Sequence, residues 1–277
     1  MRLTSALIAL AASGCAVVPN PSPYTVTRNL PYIEGGTDRQ AGDLYQPEGD
    51  GLWPAVLVIH GGGWSGGERS DMDKFGKRLA QAGYVVYNVG YRLAPDDRFP
   101  AQLNDVRNAL RWLQDNAQRW NVNPMRIATL GYSAGAHLAL MLGLTPSDGL
   151  TPVAAIVAGG NPTDLRVYPK SPYIFDLIGG APSEFPDEYA FASPITHISA
   201  DNPPVFLYHG RLDRLVEFDQ SQRMHDALQT AGVPVTLYPQ PLSGHITTFL
   251  FDRDTMRKVV PFLNRTIGPG ADRQTRE

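Results

Sequence analysis

The run Arg126-Ile127-Ala128-Thr129-Leu130-Gly131-Tyr132-Ser133-Ala134-Gly135-Ala136-His137-Leu138-Ala139-Leu140-Met141-Leu142 constrains the fold more than any other stretch of the chain. Its first five residues have the β-branched and apolar character of a buried parallel strand, and its last seven read as an apolar helix. The G-x-S-x-G pentapeptide Gly131–Gly135 is the turn between them. A strand that runs straight into a helix needs a sharp reversal, which strains Ser133 and lifts its hydroxyl clear of the backbone. Gly131 and Gly135 leave room for strand and helix to approach closely. The first N–H groups of the helix face the same point, where they can stabilise negative charge. A plain turn is the competing explanation, because Gly, Ser and Ala are common residues; the strand before and the helix after favour a nucleophilic serine.

Around this turn the chain alternates short apolar runs with amphipathic stretches. Strands are predicted at Pro54 to Ile59, Tyr84 to Val89, Arg126 to Leu130, Val153 to Ala158, Val205 to Tyr208 and Val235 to Tyr238. The clearest helix is Ala101 to Gln118, where Leu103, Val106, Leu110 and Leu113 share one face. Strand and helix repeated in this way predict an α/β fold, a mostly parallel central sheet with helices on both faces and right-handed crossovers. Sites in such sheets form at the carboxyl ends of the strands. Asn161 to Ile198 breaks the rhythm with prolines and aromatics and no clean strand. It reads either as a cap over that edge or as a surface excursion without a role.

A nucleophilic serine needs a base to take its proton and a buried acid to orient that base, in the chain order Ser, acid, His. Of the six histidines, His60 and His137 belong to local motifs, His197 to the irregular segment, and His225 to a polar helix. His209 ends a strand but precedes the acid. His245, in Leu242-Ser243-Gly244-His245 after the last strand, is the predicted base, with loop capping as its alternative role. Asp213, just beyond the strand ending at Tyr208, is the predicted acid. Asp164 is its main rival, Asp201 and Asp219 are weaker ones, and Arg211 and Arg214 offer it a surface ion pair instead. The oxyanion formed on attack needs preorganised donors. His60-Gly61-Gly62-Gly63-Trp64 follows the first central strand, and its glycines let main-chain N–H groups turn into a cleft. Gly62, Gly63 and Ala134 are the predicted donors. A phosphate cradle is disfavoured, because neither a P-loop nor a dinucleotide fingerprint is present.

With these motifs in order the sequence resembles α/β-hydrolase carboxylesterases, and most closely bacterial esterases with an HGGG loop, the hormone-sensitive-lipase-like and feruloyl-esterase-like groups. The resemblance spans roughly Asp43 to Leu263. It includes Asp43-Leu44-Tyr45-Gln46-Pro47, Tyr91-Arg92-Leu93-Ala94-Pro95, Phe99-Pro100 through Asp105-Val106, and Asn123-Pro124-Met125-Arg126-Ile127. Tyr132 stands where hormone-sensitive-lipase-like enzymes usually carry aspartate, which favours the feruloyl-esterase-like or general carboxylesterase group. The resemblance implies a covalent acyl-enzyme mechanism on a small-molecule ester, with no metal and no organic cofactor. Trp64 and Tyr132, with Tyr173 and Phe175, are candidates to line an apolar substrate pocket, although aromatics near a core also serve packing. Amide cleavage on the same triad, as in arylformamidase-like or peptidase-like relatives, and a non-catalytic binding protein on this fold are the alternatives.

The termini carry a separate signal. Met1-Arg2, the apolar run Leu3 to Ala12 and the small residues before Cys15 form a signal-peptide pattern too short to span a bilayer. The approach to Cys15, the single cysteine, resembles a bacterial lipobox. It implies acylation at Cys15 and attachment to a membrane surface as a cell-envelope lipoprotein on the periplasmic side; a soluble secreted or periplasmic protein is the alternative. The predicted organisation is a signal peptide at 1–14, a proline-rich tether at 15–23, a catalytic domain at 24–267 and a disordered tail at 268–277. A net charge of −3 with scattered basic residues gives no nucleic-acid footprint.

Overall fold

A computed structural model describes residues 21–268. The predicted leader with Cys15, most of the tether, and the tail from 269 onward lie outside the described residues. In chain order the strands and helices are β1 (Tyr24–Pro31), β2 (Ala41–Pro47), β3 (Trp53–Ile59), α1 (Asp73–Gln81), β4 (Val85–Val89), α2 (Ala101–Asp115), β5 (Val122–Tyr132), α3 (Ala134–Leu144) and β6 (Ala155–Gly159). Then follow α4 (Pro172–Ile178), α5 (Pro186–Phe191), β7 (Val205–Gly210), α6 (Asp219–Thr230), β8 (Val235–Gln240), α7 (His245–Leu250) and α8 (Arg253–Thr266). None of the described helices is long and apolar enough to cross a membrane.

One eight-stranded sheet runs β1-β2-β4-β3-β5-β6-β7-β8. The pairs β1–β2 and β2–β4 are antiparallel and the others are parallel. This is the α/β-hydrolase fold. Side chains alternate across β3: Ala55, Leu57 and Ile59 join the core beneath α2 and α3, while Val56 and Val58 join the core beneath α1 and α8. A strand covered on both faces needs apolar residues at every position, so such strands read as unbroken apolar runs. The same geometry explains α2, whose Leu103, Val106, Leu110 and Leu113 are all buried. It ends at Asp115, three residues before the predicted limit. Helix α3 is buried on every side, which is why it shows no amphipathic stripe.

Two predictions differ from the structure. Strands β1 and β2 were not foreseen as strands. Edge strand β1 has one hydrogen-bonded neighbour, alternates half-buried with exposed residues, and carries no continuous apolar run. The segment 161–198 is not irregular: it contains short 3-10 turns at Leu165–Val167 and Pro194–His197 as well as α4 and α5. Prolines at the first turns of α4 and α5, where a missing N–H costs nothing, start these helices rather than prevent them.

Because β3, β4, β5, β6, β7 and β8 all point the same way, the loops after them gather at one edge of the sheet. The loop after β4 supports the loop after β3: Tyr91 Oη donates to His60 O at 3.0 Å and Ala94 N–H to Trp64 O at 3.0 Å. That supporting loop is itself tied to α2. Asp105, fully buried, accepts from the Arg92 backbone N–H and guanidinium at 2.9 Å and from Gln40 Nε2 at 2.9 Å. Removing Asp105 leaves the Arg92 backbone N–H and Gln40 Nε2 without this acceptor, while the Arg92 guanidinium keeps only Asp97 at 3.0 Å. Asp105→Ala should therefore lower unfolding free energy by about 3 kcal/mol in urea titrations; a loss under about 1 kcal/mol would remove this network from the account of stability.

Candidate active site

At the end of β5 Ser133 has φ 54° and ψ −122°, a left-handed conformation that non-glycine residues rarely adopt. It is held there from both sides: Ser133 N–H donates to Gly159 O on β6 at 2.8 Å, and Ser133 O accepts from His137 N–H in α3 at 3.0 Å. The flanking glycines are required by contact with backbone. A Cβ on Gly135 would lie 2.2 Å from Ile59 O and 2.4 Å from His60 O, and one on Gly131 would lie 2.1 Å from Gly135 O. Such contacts cannot be relieved by turning a side chain. Ser133 is thus presented at the N-terminus of α3, in the environment that the strand-to-helix pattern predicts.

The loops after β7 and β8 bring Asp213 and His245 together. His245, the first residue of α7, donates from Nδ1 to Asp213 Oδ2 at 2.6 Å. The other oxygen, Oδ1, accepts from Leu215 N–H at 3.0 Å and Val216 N–H at 2.9 Å. A second imidazole, His209 at the end of β7, lies 3.2 Å from Oδ2 through Nε2. Burial alone would push the Asp213 carboxyl up, but the hydrogen bonds from His209, His245 and the Val216 backbone outweigh it and hold the group well below the usual carboxylate range. The surface ion pair with Arg211 or Arg214 is therefore not how this carboxylate is engaged. The rival Asp164 is occupied elsewhere, by Arg166 at 2.8 Å and Arg223 at 2.5 Å.

Gly61, Gly62 and Gly63 after β3, together with Ser133, Ala134 and His245, line a cavity of about 380 Å³. Gly62 has φ 111° and Gly63 φ 60°. A side chain at Gly63 would strike the ring of Tyr173 at 2.7 Å. Trp64 is also left-handed, at φ 60°, and is fastened by its indole N–H, which donates to His137 Nδ1 at 3.2 Å; His137 Nε2–H donates in turn to Ala192 O at 2.7 Å. This chain joins the glycine loop, α3 and the loop after α5. Trp64 lines the cavity while being almost wholly buried, so it serves wall and core at once. The same holds for Tyr132, whose hydroxyl donates to His245 O at 2.5 Å and whose ring lies 5.1 Å from the imidazole. Burial keeps that phenol protonated by pushing its pKa up.

The segment after β6 supplies much of the remaining wall through Pro162, Tyr168, Ser171, Tyr173 and Ile174. Phe175 does not take part; it is half exposed and outside the lining. Two residues apart on a helix point to opposite faces, so Tyr173 and Phe175 cannot both face one cavity. Leu215, Val216, Ile246 and Phe249 complete the apolar lining and were not singled out from sequence. They flank Asp213 and His245, and that adjacency was the available signal. His209 was noted only as preceding the acid; its spacing of four residues from Asp213 across a strand end was the clue.

His60 and His137 are buried with fixed hydrogen-bond roles. His60 donates from Nδ1 to Gly61 O at 2.7 Å and stacks on Tyr91 with ring centres 4.2 Å apart. Burial pushes both imidazoles down from 6.5 to about 4. The unfolded chain therefore takes up protons on these two residues between about pH 6.5 and pH 4 while the folded chain does not, and stability falls as pH falls through that window. Each histidine contributes on the order of 3 kcal/mol to this loss by pH 4. Asp213 adds a further loss only below its unfolded range near 3.8. Urea unfolding at pH 7 and pH 4.5 should show a marked drop in midpoint; equal midpoints would mean that these imidazoles are not held neutral.

Comparison with known proteins agrees with this architecture. A family model described as BD-FAE matches residues 43–228, about two-thirds of the chain. The "Probable carboxylic ester hydrolase LipM" of Mycobacterium tuberculosis is 29% identical over 267 residues, covering 85% of this chain and 61% of LipM. The chain thus spans about three-fifths of the length of the mycobacterial relatives LipM and LipQ. The "Versiconal hemiacetal acetate esterase" of Dothistroma septosporum is 32% identical over 248 residues, covering 79% of this chain and 74% of that protein. Among solved structures, a "Truncated form of carbohydrate esterase from gut microbiota" superposes with a TM-score of 0.81 at 26% identity, covering 90% of this chain and 98% of the other. The chain belongs to the BD-FAE family, built on the α/β-hydrolase fold.

Proposed function

We propose that the protein is a serine hydrolase that cleaves carboxylic esters through an acyl-enzyme intermediate. The observation that carries this reading is the 2.6 Å bond from His245 Nδ1 to a buried, ionised Asp213, placed so that His245 and Ser133 line one cavity. In the proposed sequence His245 Nε2 takes the proton from Ser133 Oγ as Oγ attacks the ester carbonyl carbon. Backbone N–H groups of Gly62, Gly63 and Ala134 receive the oxyanion, each contributing a few kcal/mol to the transition state. Collapse breaks the bond to the alcohol oxygen, which leaves with the proton from His245. Water, deprotonated by His245, then attacks the acyl carbonyl, and the released Ser133 Oγ recovers the proton. Asp213 keeps the imidazole in the tautomer with Nε2 free and stabilises its charged form.

The lining by Trp64, Tyr132, Tyr173, Ile174 and Phe249 suits an ester with apolar acyl or alcohol parts. The names of the relatives, an ester hydrolase and an acetate esterase, support the bond type. On a short-chain p-nitrophenyl ester, Ser133→Ala should lose roughly four orders of magnitude or more in kcat and lose labelling by a fluorophosphonate. Equal turnover by both proteins would reject the reading, and faster cleavage of a matched anilide would replace esterase by amidase.

We further propose that the protein is exported and anchored to a membrane surface through acylated Cys15, a reading supported by the charged, apolar and small-residue order of the first fifteen positions. Cys15→Ser should move the protein from the membrane fraction to the soluble fraction; unchanged partitioning would refute the anchor.

A further inference from the structure

The acid of the proposed triad is held by more than its histidine. His209 Nε2 lies between two acceptors, Val216 O at 2.8 Å and Asp213 Oδ2 at 3.2 Å, so this nitrogen must carry a hydrogen. Val216 is bound twice in the same turn: its O accepts from His209 while its N–H donates to Asp213 Oδ1 at 2.9 Å. His209, at the end of rigid β7, thereby closes the 213–216 turn and contacts the same carboxylate oxygen that receives His245 Nδ1–H. On its far side His209 Nδ1 is 2.7 Å from Ser221 Oγ in α6, and Ser221 Oγ is 2.9 Å from Asn161 Oδ1. All of these side chains are buried, and Asn161 Nδ2 has no partner. Turning the Asn161 amide over gives Ser221 Oγ an N–H to accept and frees its hydroxyl hydrogen for His209 Nδ1. The donors then run in one direction, Asn161 to Ser221 to His209, whose Nε2–H is shared between Val216 O at 2.8 Å and Asp213 Oδ2 at 3.2 Å.

We propose that His209 is a positioning residue for the hydrolytic reaction: its Nε2–H, held in that tautomer by Ser221, fixes the Asp213 carboxylate so that His245 points Nε2 at Ser133. The inference rests on the serine-hydrolase reading above. His209 does not line the cavity, so its effect falls on turnover and not on substrate binding. A hydrogen bond to a buried charge, once lost, reduces kcat by roughly tenfold to a hundredfold.

The test compares kcat and KM on a p-nitrophenyl ester for wild type, Ser133→Ala, His209→Gln, His209→Asn and His209→Leu, with melting temperatures alongside. Gln places an amide Nε2–H near the position of the lost ring nitrogen, whereas Asn reaches only toward Ser221. His209→Asn and His209→Leu should lose about tenfold or more in kcat at unchanged KM, and His209→Gln should recover most of the loss. If His209→Leu does not fold, the Asn and Gln pair decides. Wild-type kcat in His209→Asn, or a His209→Gln as slow as His209→Asn, would overturn the inference while leaving the triad standing. Equal turnover by wild type and Ser133→Ala would overturn the hydrolase reading, and the inference with it.

Discussion

The structure turns on a contact between backbones. Helix α3 presses against β3 and β5 so closely that the carbonyls of Ile59 and His60 occupy the space where a Cβ of residue 135 would stand. That approach is what lets the chain reverse within Ser133 and forces its φ to 54°. A larger residue at 135 would push α3 off the sheet, widen the reversal and remove the reason for Ser133 to be strained. Everything else at the site is measured from this fixed point, because the loops after β3, β6, β7 and β8 reach the same edge through the parallel strands of one sheet.

Rigid supports surround each group with chemistry to do. The three glycines have no side chains to hold them; Tyr91 and Ala94 hold the loop from the β4 side, and the indole of Trp64 at its end fastens it to His137 on α3. His245 is gripped at its ring by Asp213 and at its carbonyl by Tyr132. Asp213 accepts three N–H groups, two on Oδ1 and one on Oδ2, and Oδ2 also shares the His209 Nε2–H with Val216 O. A buried carboxylate with fewer donors would be drawn toward its neutral form; with these it stays charged, which an orienting acid requires. The neutral imidazoles of His60 and His137 follow the opposite logic, since each has a fixed donor role and no carboxylate among its hydrogen-bond partners.

Much of the fold was legible along the chain. Doubly covered strands such as β3 read as apolar runs, α2 showed its buried stripe, and α3 was recognisable as apolar on all sides. The family follows from the same local signals, the HGGGW loop and the serine turn. Edge strand β1 was not legible because it carries too little burial to mark its sequence; β2 is buried between β1 and β4, but Gly42, Asp43 and Gln46 interrupt its apolar residues, so it shows no continuous apolar run. The short helices after β6 were hidden by their prolines, which argue against helix in an interior but favour the first turn.

By itself the sequence determined the alternation of strand and helix, the order serine, acid, histidine, and the positions of the glycines. These are properties of neighbouring residues, encoded by periodicity and backbone freedom. Only the tertiary structure decided which aromatics face the cavity, that Asp164 is occupied by arginines, that Tyr132 grips His245, and that His209 shares the carboxylate of Asp213. Tyr132 with His245 and Arg223 with Asp164 join parts far apart in the chain, so their partners are chosen by the packing of helices and loops across the sheet. His209 and Asp213 are near neighbours whose spacing the sequence does record, but the side of the imidazole that meets the carboxylate is set by Ser221 on α6, which no local pattern shows.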